Sequence, residues 1–160
     1  MGFNIAAAVV DRCYFGNIEE LEKEWNSQLK FIGEISFEDA VENWKEEGVL
    51  DFYFTKSGTL ILRDVMSCTD FQPLPSSNVL SFILLESSMA FSFAYSEGID
   101  ERRKLVFLKG KLNTNIGLPL TIEADEDDVS EIIWKQVKVL LGKSFFEIDL
   151  NERAYRYKKI

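Results

Sequence analysis

Residues 79–109 hold the feature that most constrains the fold, two long apolar segments around a short polar turn. Residues 79–85 are almost continuously apolar, and in residues 89–96 large side chains alternate with Ala and Ser. This period of two is typical of a β-strand with one bulky face and one small face. Residues 97–100 have the composition of a turn, and 105–108 are apolar again. We therefore predict that 79–85, 89–96 and 105–108 are neighbouring antiparallel strands.

Hydrophobic periodicity and capping residues predict the other elements of the chain. In order, these are a strand at 3–10, a helix capped by Asn17, a strand at 31–35, a helix capped by Ser36 and ended by Gly48, a hairpin at 50–63, loops at 70–78 and 110–119, a helix at 127–141, a strand at 145–150 and a basic tail at 153–159. The helix after Ser36 is expected to bury Trp44. The pattern predicts one α+β domain over residues 1–160, a mostly antiparallel sheet with about three helices packed mainly on one face.

Composition places the chain among globular proteins of a reducing compartment. The 160 residues are 46% hydrophobic, enough for one sizeable core. The longest apolar region, 79–95, is interrupted by polar residues. The apolar start, 3–10, is short, lacks a basic flank and runs into Asp11 and Arg12, unlike a signal peptide. Cys13 and Cys68 have neither the spacing of a metal site nor the number needed for a disulfide scaffold. We expect a cytoplasmic protein that is not bound to membranes.

Negative charge is concentrated in the first third of the chain. The net charge is −9, and residues 17–51 contain eleven acids against three lysines, a net charge of −8. Such a surface repels phosphate backbones and anionic lipids, which disfavours nucleic acid and membranes as partners. A basic protein remains compatible with it. Helix surfaces kept soluble by their acids are the alternative interpretation.

The residues that usually carry out chemistry are scarce. The chain contains no histidine, which excludes Ser–His and Cys–His nucleophile systems and most zinc sites. The acids between Glu123 and Asp128 lack the glycine and terminal glutamate of a calcium loop, and capping of the last helix explains them. We therefore predict no catalytic residue, no cofactor and no metal, and favour a protein that is not an enzyme.

Three stretches carry a resemblance to known proteins. They are residues 89–95 followed by Glu97 and Gly98, residues 116–120 with Glu123, and residues 145–157. Together they resemble small, uncharacterised bacterial single-domain proteins, some of which have the build of immunity proteins of toxin systems. The resemblance is structural, and it implies no chemistry for particular residues.

Two functional hypotheses follow. The first is a non-catalytic, immunity-like domain that neutralises a basic protein partner through its acidic helices, with Glu20, Glu24, Glu42 and Glu46 as exposed contact residues. The alternative is a small-molecule-binding protein or histidine-free enzyme with a pocket between sheet and helices, lined by Glu86, Arg63 and Tyr95. The identity of the partner or ligand, the oligomeric state and the role of Cys68 are left open by the sequence.

Overall fold

A computed structural model describes residues 3–42, 44–65 and 71–160. Nine strands in these ranges form one sheet, and every pairing between them is antiparallel. The strands are β1 Asn4–Val10, β2 Leu29–Ser36, β3 Val49–Phe54, β4 Thr59–Arg63, β5 Asn78–Leu85, β6 Ala90–Glu97, β7 Asp100–Leu108, β8 Lys111–Gly117 and β9 Arg153–Lys159, in the spatial order β2-β9-β3-β4-β1-β5-β6-β7-β8. The helices are α1 Ile18–Trp25, α2 Phe37–Ala40 and α3 Val129–Leu141, with 3₁₀ turns at Glu86–Ser88, Thr121–Ala124 and Phe145–Glu147.

The predicted α+β architecture is confirmed in its main features. β5, β6 and β7 are neighbouring antiparallel strands, with Leu80 opposite Tyr95 and Phe93 opposite Leu105. β3 and β4 form the predicted hairpin. Among the described residues, α3 is the longest helix, and no helix has the length and apolar character needed to cross a bilayer.

The centre of the sheet is buried on both faces. Ile5, Ala7 and Val9 of β1 belong to one apolar cluster, whereas Ala8 and Val10 belong to another, because successive side chains of a strand point to opposite faces. The buried residues of α2 and α3 lie in the first cluster, and those of α1 lie in the second. We name the two sides the α3 face and the α1 face. The helices are thus divided between the faces instead of lying together on one.

The sequence predicts Asp125 or a neighbour as the N-cap of the last helix and Gly142 as its end; the structure has the N-cap at Asp128 and confirms Gly142. The Asp128 side chain accepts hydrogen bonds from the backbone N–H groups of Ser130 at 2.9 Å and Glu131 at 3.4 Å, and Gly142 ends the helix with a φ of 78°. Capping therefore accounts for Asp128 without a ligand. The helix starts at Val129, two residues later than predicted.

The predicted helix 36–47 is wrong beyond its first turn. Ser36 caps it as expected, but the helix ends at Ala40, and Trp44 is 72% exposed instead of buried. Lys45 is buried in its place, with Nζ 2.6 Å from the Ala40 carbonyl oxygen and 2.7 Å from Asp51 Oδ2. A buried cation with two acceptors at these distances holds the chain in a non-helical path. Its neighbour Trp44 consequently faces outward.

Two further corrections concern polar strands. The predicted strand 145–150 is a 3₁₀ turn followed by a loop, and the expected basic tail is instead β9, inserted between β2 and β3. Most of the predicted loop 110–119 is β8, an outer strand whose residues are largely exposed. β8 has only Leu112 and Ile116 as apolar residues, and β9 alternates Tyr155 and Tyr157 with basic side chains, so neither has the strongly apolar pattern that usually indicates a strand. Cys68 and the start of the predicted loop 70–78 lie outside the described residues.

Both outer strands contain an irregularity of pairing. In β2, the register passes from Phe31 to Gly33, so that Ile32 has no opposite residue in β9. In β8, it passes from Leu112 to Thr114, which leaves Asn113 as the extra residue. Each is a β-bulge, which bends and twists the strand locally.

Candidate functional site

Glu20 and Glu24 lie on α1 beside an arginine that follows β1. Glu20 forms an ion pair with Arg12. The Glu24 carboxylate accepts a hydrogen bond from the Tyr14 hydroxyl at 3.0 Å and another from the Ser76 hydroxyl, and lies 3.8 Å from Arg12 Nη1. The Glu24 side chain is only 18% exposed. The expectation that Glu24 is freely exposed is therefore wrong, because an internal network holds its carboxylate.

The Tyr14 hydroxyl is a donor in this network and not a reactive group. Burial and the Glu24 carboxylate raise the pKa of the Tyr14 phenol above its ordinary value. A neutral phenol keeps the proton that it donates to Glu24. The cluster thus joins α1 to the loop before β5.

Glu42 and Glu46 lie in residues 38–47, which we name the acidic segment. All five of its carboxylates are exposed, namely those of Glu38, Asp39, Glu42, Glu46 and Glu47. Its one basic residue, Lys45, is 4% exposed and bonded to Asp51. The surface of the described part of this segment therefore carries carboxylates and the Trp44 ring, but no cation of its own.

Asp51 anchors the acidic segment to the sheet. This carboxylate is fully buried, and besides Lys45 it accepts hydrogen bonds from Arg156 Nε at 2.8 Å and Nη2 at 3.0 Å. The bond to Asp51, together with the charges of Asp39 and Glu42, raises the pKa of the Arg156 guanidinium. Both oxygens of Asp51 are engaged, which makes it a structural group.

Exposed positive charge occurs at both ends of the sheet, and at the acidic end Lys158 and Lys159 of β9 lie beside Glu46 and Glu47. Arg102, Lys109 and Lys111, on and between β7 and β8, are exposed, whereas β2 and the acidic segment occupy the opposite end. Nine strands spaced at about 4.8 Å separate the two ends by roughly 40 Å. The separation exceeds the screening length of about 8–10 Å in physiological salt, so the bases of β7 and β8 offset the acidic segment little, whereas Lys158 and Lys159 lie beside it.

The three residues of the alternative pocket are dispersed. Glu86 starts the turn after β5, is exposed, and accepts a hydrogen bond from the Phe3 amide at 3.1 Å. Arg63 is on the α1 face, with Nη2 3.5 Å from Ser81 Oγ. Tyr95 belongs to the core of the α3 face, where burial and then the charges of Glu97 and Asp11 raise its pKa. The structure does not bring these side chains together.

Two open depressions lie near the carboxyl-terminal Ile160. One, of about 680 Å³, is lined by Glu46, Glu47, Gly48, Lys158, Lys159 and Ile160. The other, of about 600 Å³, is lined by Glu19, Glu22, Lys23, Asn26, Ser27, Gln28 and Ile160. Their linings are mainly charged and polar, unlike the concave and mostly apolar sites that small ligands occupy.

A cluster that the sequence did not predict joins Tyr53, Lys143 and Glu152. The Tyr53 hydroxyl donates to Glu152 Oε1 at 3.0 Å and accepts from Lys143 Nζ at 3.2 Å. Burial raises the pKa of the Tyr53 phenol, so the hydroxyl stays protonated at neutral pH. Lys143 and Glu152 follow Tyr53 by 90 and 99 positions, so no local sequence pattern predicts the cluster. Each polar group is engaged with the others, which favours a structural role.

The acids between Glu123 and Asp128 are largely used by the fold. Glu123 binds Arg103 through both carboxylate oxygens, at 2.9 and 2.7 Å, and Glu126 pairs with Lys135 at 3.1 Å. Across the described ranges, no three metal-ligating side chains are grouped closely enough to hold an ion. The absence of a metal nevertheless stays a prediction.

Comparisons with known protein families, with curated proteins and with solved structures found no match to this chain.

Proposed function

We propose that this chain is a non-catalytic domain that binds and neutralises a basic protein, in the manner of a bacterial immunity protein. The observation that carries the proposal is the acidic segment, in which five carboxylates are exposed and the one lysine is buried. Burial of Lys45 against Asp51 leaves the outer surface more negative than the sequence of the segment suggests. Concentrated charge of one sign accelerates association with an oppositely charged partner.

The polar clusters support a binding role over a catalytic one. Catalysis needs groups that are poised to transfer protons or attack a substrate, and the chain has no histidine to do so. Asp51, Glu123 and Glu152 are instead occupied by hydrogen bonds from basic side chains within the fold. With Glu86, Arg63 and Tyr95 dispersed, no observation favours the small-molecule alternative.

The contact residues of this proposal divide into two groups. Glu42 and Glu46 are exposed and free to meet a partner, and Glu20 remains half exposed beside Arg12. Glu24 contributes mainly by holding α1 in place. Charge reversal at Glu42 and Glu46 is therefore the cleanest variant, because neither side chain is part of the buried network.

The test is affinity capture from the native cell with the wild-type chain, followed by association kinetics with the captured protein. We expect a basic protein whose association slows on the order of tenfold at low salt in Glu42→Lys/Glu46→Lys, with a smaller difference at high salt. The matched control is Glu101→Lys/Asp127→Lys, which makes the same change of charge at exposed positions outside the segment. Equal slowing by both variants, or a partner without positive charge, would contradict the proposal.

A further inference from the structure

Aromatic rings form a strip on the α1 face, between α1 and the outer strand β2. We name it the aromatic strip, and it consists of Phe15, Phe31, Phe54, Tyr155 and Tyr157. The Phe15 ring centroid lies 5.5 Å from that of Phe54 and 5.6 Å from that of Tyr155, and Phe31 lies 5.3 Å from Tyr157. Phe15 is 59% exposed and Phe31 is 52% exposed.

Packing within the domain does not use these exposed rings fully. The buried residues of α1, Leu21 and Trp25, pack on the centre of the α1 face, so the helix leaves the rings nearer β2 partly open to solvent. Single exposed apolar residues are common, but contiguous ones mark interaction surfaces. Aromatic side chains are also enriched among the residues that dominate binding energy at protein interfaces.

Carboxylates border the aromatic strip. Glu19 and Glu20 lie in the first turn of α1, shortly after Phe15, and Glu34 lies opposite Tyr155 in the neighbouring strand. Burial and then the Glu22 charge raise the pKa of the Tyr157 phenol, which places Glu22 near the other end. Four bases lie in the same border. Arg12 pairs with Glu20, and Arg153 pairs with Glu34. Lys23 is in the last turn of α1, and Lys159 lies over the Trp25 ring. With the internally held Glu24 included, five carboxylates lie beside four bases, and Glu19 and Glu22 are the two that none of these ion pairs uses.

We propose that the aromatic strip anchors the basic partner through arginine side chains, which stack on the exposed rings and pair with the bordering carboxylates. This inference rests on the proposed function and assigns anchoring residues on the α1 face, so the partner would reach around β2 from the acidic segment on the α3 face. A guanidinium is planar, stacks on aromatic faces and is less strongly hydrated than the ammonium of lysine. A second copy of the chain is a poor occupant, because each copy carries a net charge of −9.

The test uses dye-labelled nona-arginine and nona-lysine as probes and measures dissociation constants by fluorescence anisotropy in 0.1 M salt. The variant is Phe15→Ala/Phe31→Ala. An exposed cation–π contact is worth a factor of about two to five, so the double variant should weaken nona-arginine binding about five- to twenty-fold. Nona-lysine binding should change much less. Phe146→Ala, which removes a ring that is 67% exposed elsewhere, should change neither.

Each other outcome has a defined meaning. If the wild type binds neither peptide, the electrostatic basis of the proposed function fails together with this inference. If Glu42→Lys/Glu46→Lys weakens both peptides while Phe15→Ala/Phe31→Ala binds nona-arginine normally, the proposed function stands and the aromatic anchor is refuted. A wild-type dimer that the ring variant abolishes in sedimentation would assign the strip to a second copy and also refute the anchor. Should the alanine variant unfold, Phe15→Leu/Phe31→Leu keeps apolar bulk and removes only the rings.

Discussion

At the scale of single residues, Asp51 is the most constrained ionisable group of the described chain. It is fully buried and joins Lys45, which precedes it by six positions, to Arg156, which follows it by 105. Removing one partner of such a group leaves the others charged in a medium of low polarity, which costs more than the pair itself contributes.

We therefore expect Asp51→Asn to lower the free energy of unfolding by about 3–5 kcal/mol, because Lys45 loses its counter-charge while its side chain is 1% exposed. Urea denaturation at pH 7 measures the loss. The control is Asp100→Asn, which removes an exposed carboxylate 3.7 Å from Arg102 and should leave the midpoint unchanged. A loss below about 1 kcal/mol would show that Lys45 can reach water or another anion.

Residue-scale expectations from the sequence were confirmed only in part, even where the determinant is local. Ser36 caps α2 as predicted, but the Asn17 side chain makes no capping hydrogen bond to α1, and α3 is capped by Asp128. The prediction that Trp44 is buried was wrong because the path of the chain here depends on Lys45. That side chain binds the carboxylate of Asp51, which lies on the next strand, β3. No helical periodicity contains that information.

At the scale of elements, the Arg103–Glu123 pair clamps β7, β8 and the turn Thr121–Ala124 together. Besides Glu123, the Arg103 guanidinium donates to the carbonyl oxygens of Ile116 and Gly117, both at 3.1 Å, and to the Asn115 side chain. Burial opposes ionisation of Glu123, but the hydrogen bonds from Arg103 and from the Leu120 amide outweigh it and hold the pKa below its ordinary value.

A lowered pKa in the folded state gives a defined pH dependence. The stabilisation by the Glu123 carboxylate is complete above its ordinary pKa of 4.5 and is lost as the pH falls through the lower, folded value. Glu123→Gln should therefore be less stable than the wild type at pH 6–7, and the difference should shrink below about pH 4. Urea denaturation curves across this range measure it. The same gap at pH 7 and pH 3 would contradict the assignment, and the exposed Glu101→Gln should show no such trend.

The sequence predicted the buried strands correctly, but it did not predict the exposed strand β8. β5 and β6 have the runs and alternation that burial on one or both faces requires, and their pairing was predicted correctly. β8 has only one half-buried residue among seven, so selection for apolar side chains is weak and the segment has the composition of a loop. β9 is stabilised by pairing with a strand on each side and by the bond of Arg156 to Asp51. Its basic residues give it the composition of a charged tail, so it was not predicted as a strand.

At the scale of the whole molecule, the charge asymmetry was predictable from composition, but its geometry was not. The sequence places the acids together in residues 17–51. In the structure, α1 lies on one face of the sheet and the acidic segment on the other, so the acids are divided between two surfaces. The aromatic strip is assembled from four separate stretches of chain. Contacts between residues more than a hundred positions apart, such as Phe52 and Tyr157, have no counterpart in local periodicity.

The bulges at Ile32 and Asn113 give a prediction at the same scale. Each extra residue can be deleted without turning any neighbour to the other face, because the pairing on both sides of it keeps its alternation. We expect the double deletion to leave straight outer strands that self-associate, so that the sedimentation coefficient rises with concentration. The wild type should show no such rise. Unchanged sedimentation of the folded deletion variant would assign the protection of the outer strands to something else.

The two bulges also decide how another molecule can recognise this one. They divide β2 into runs of three and four paired residues and β8 into runs of two and four, so a foreign strand could pair without interruption over at most four residues. Backbone hydrogen bonds can form with almost any sequence, whereas contacts between side chains depend on which residues are present. With strand addition limited in this way, a partner recognises mainly side chains, and surface substitutions can change the choice of partner while the sheet beneath them stays the same.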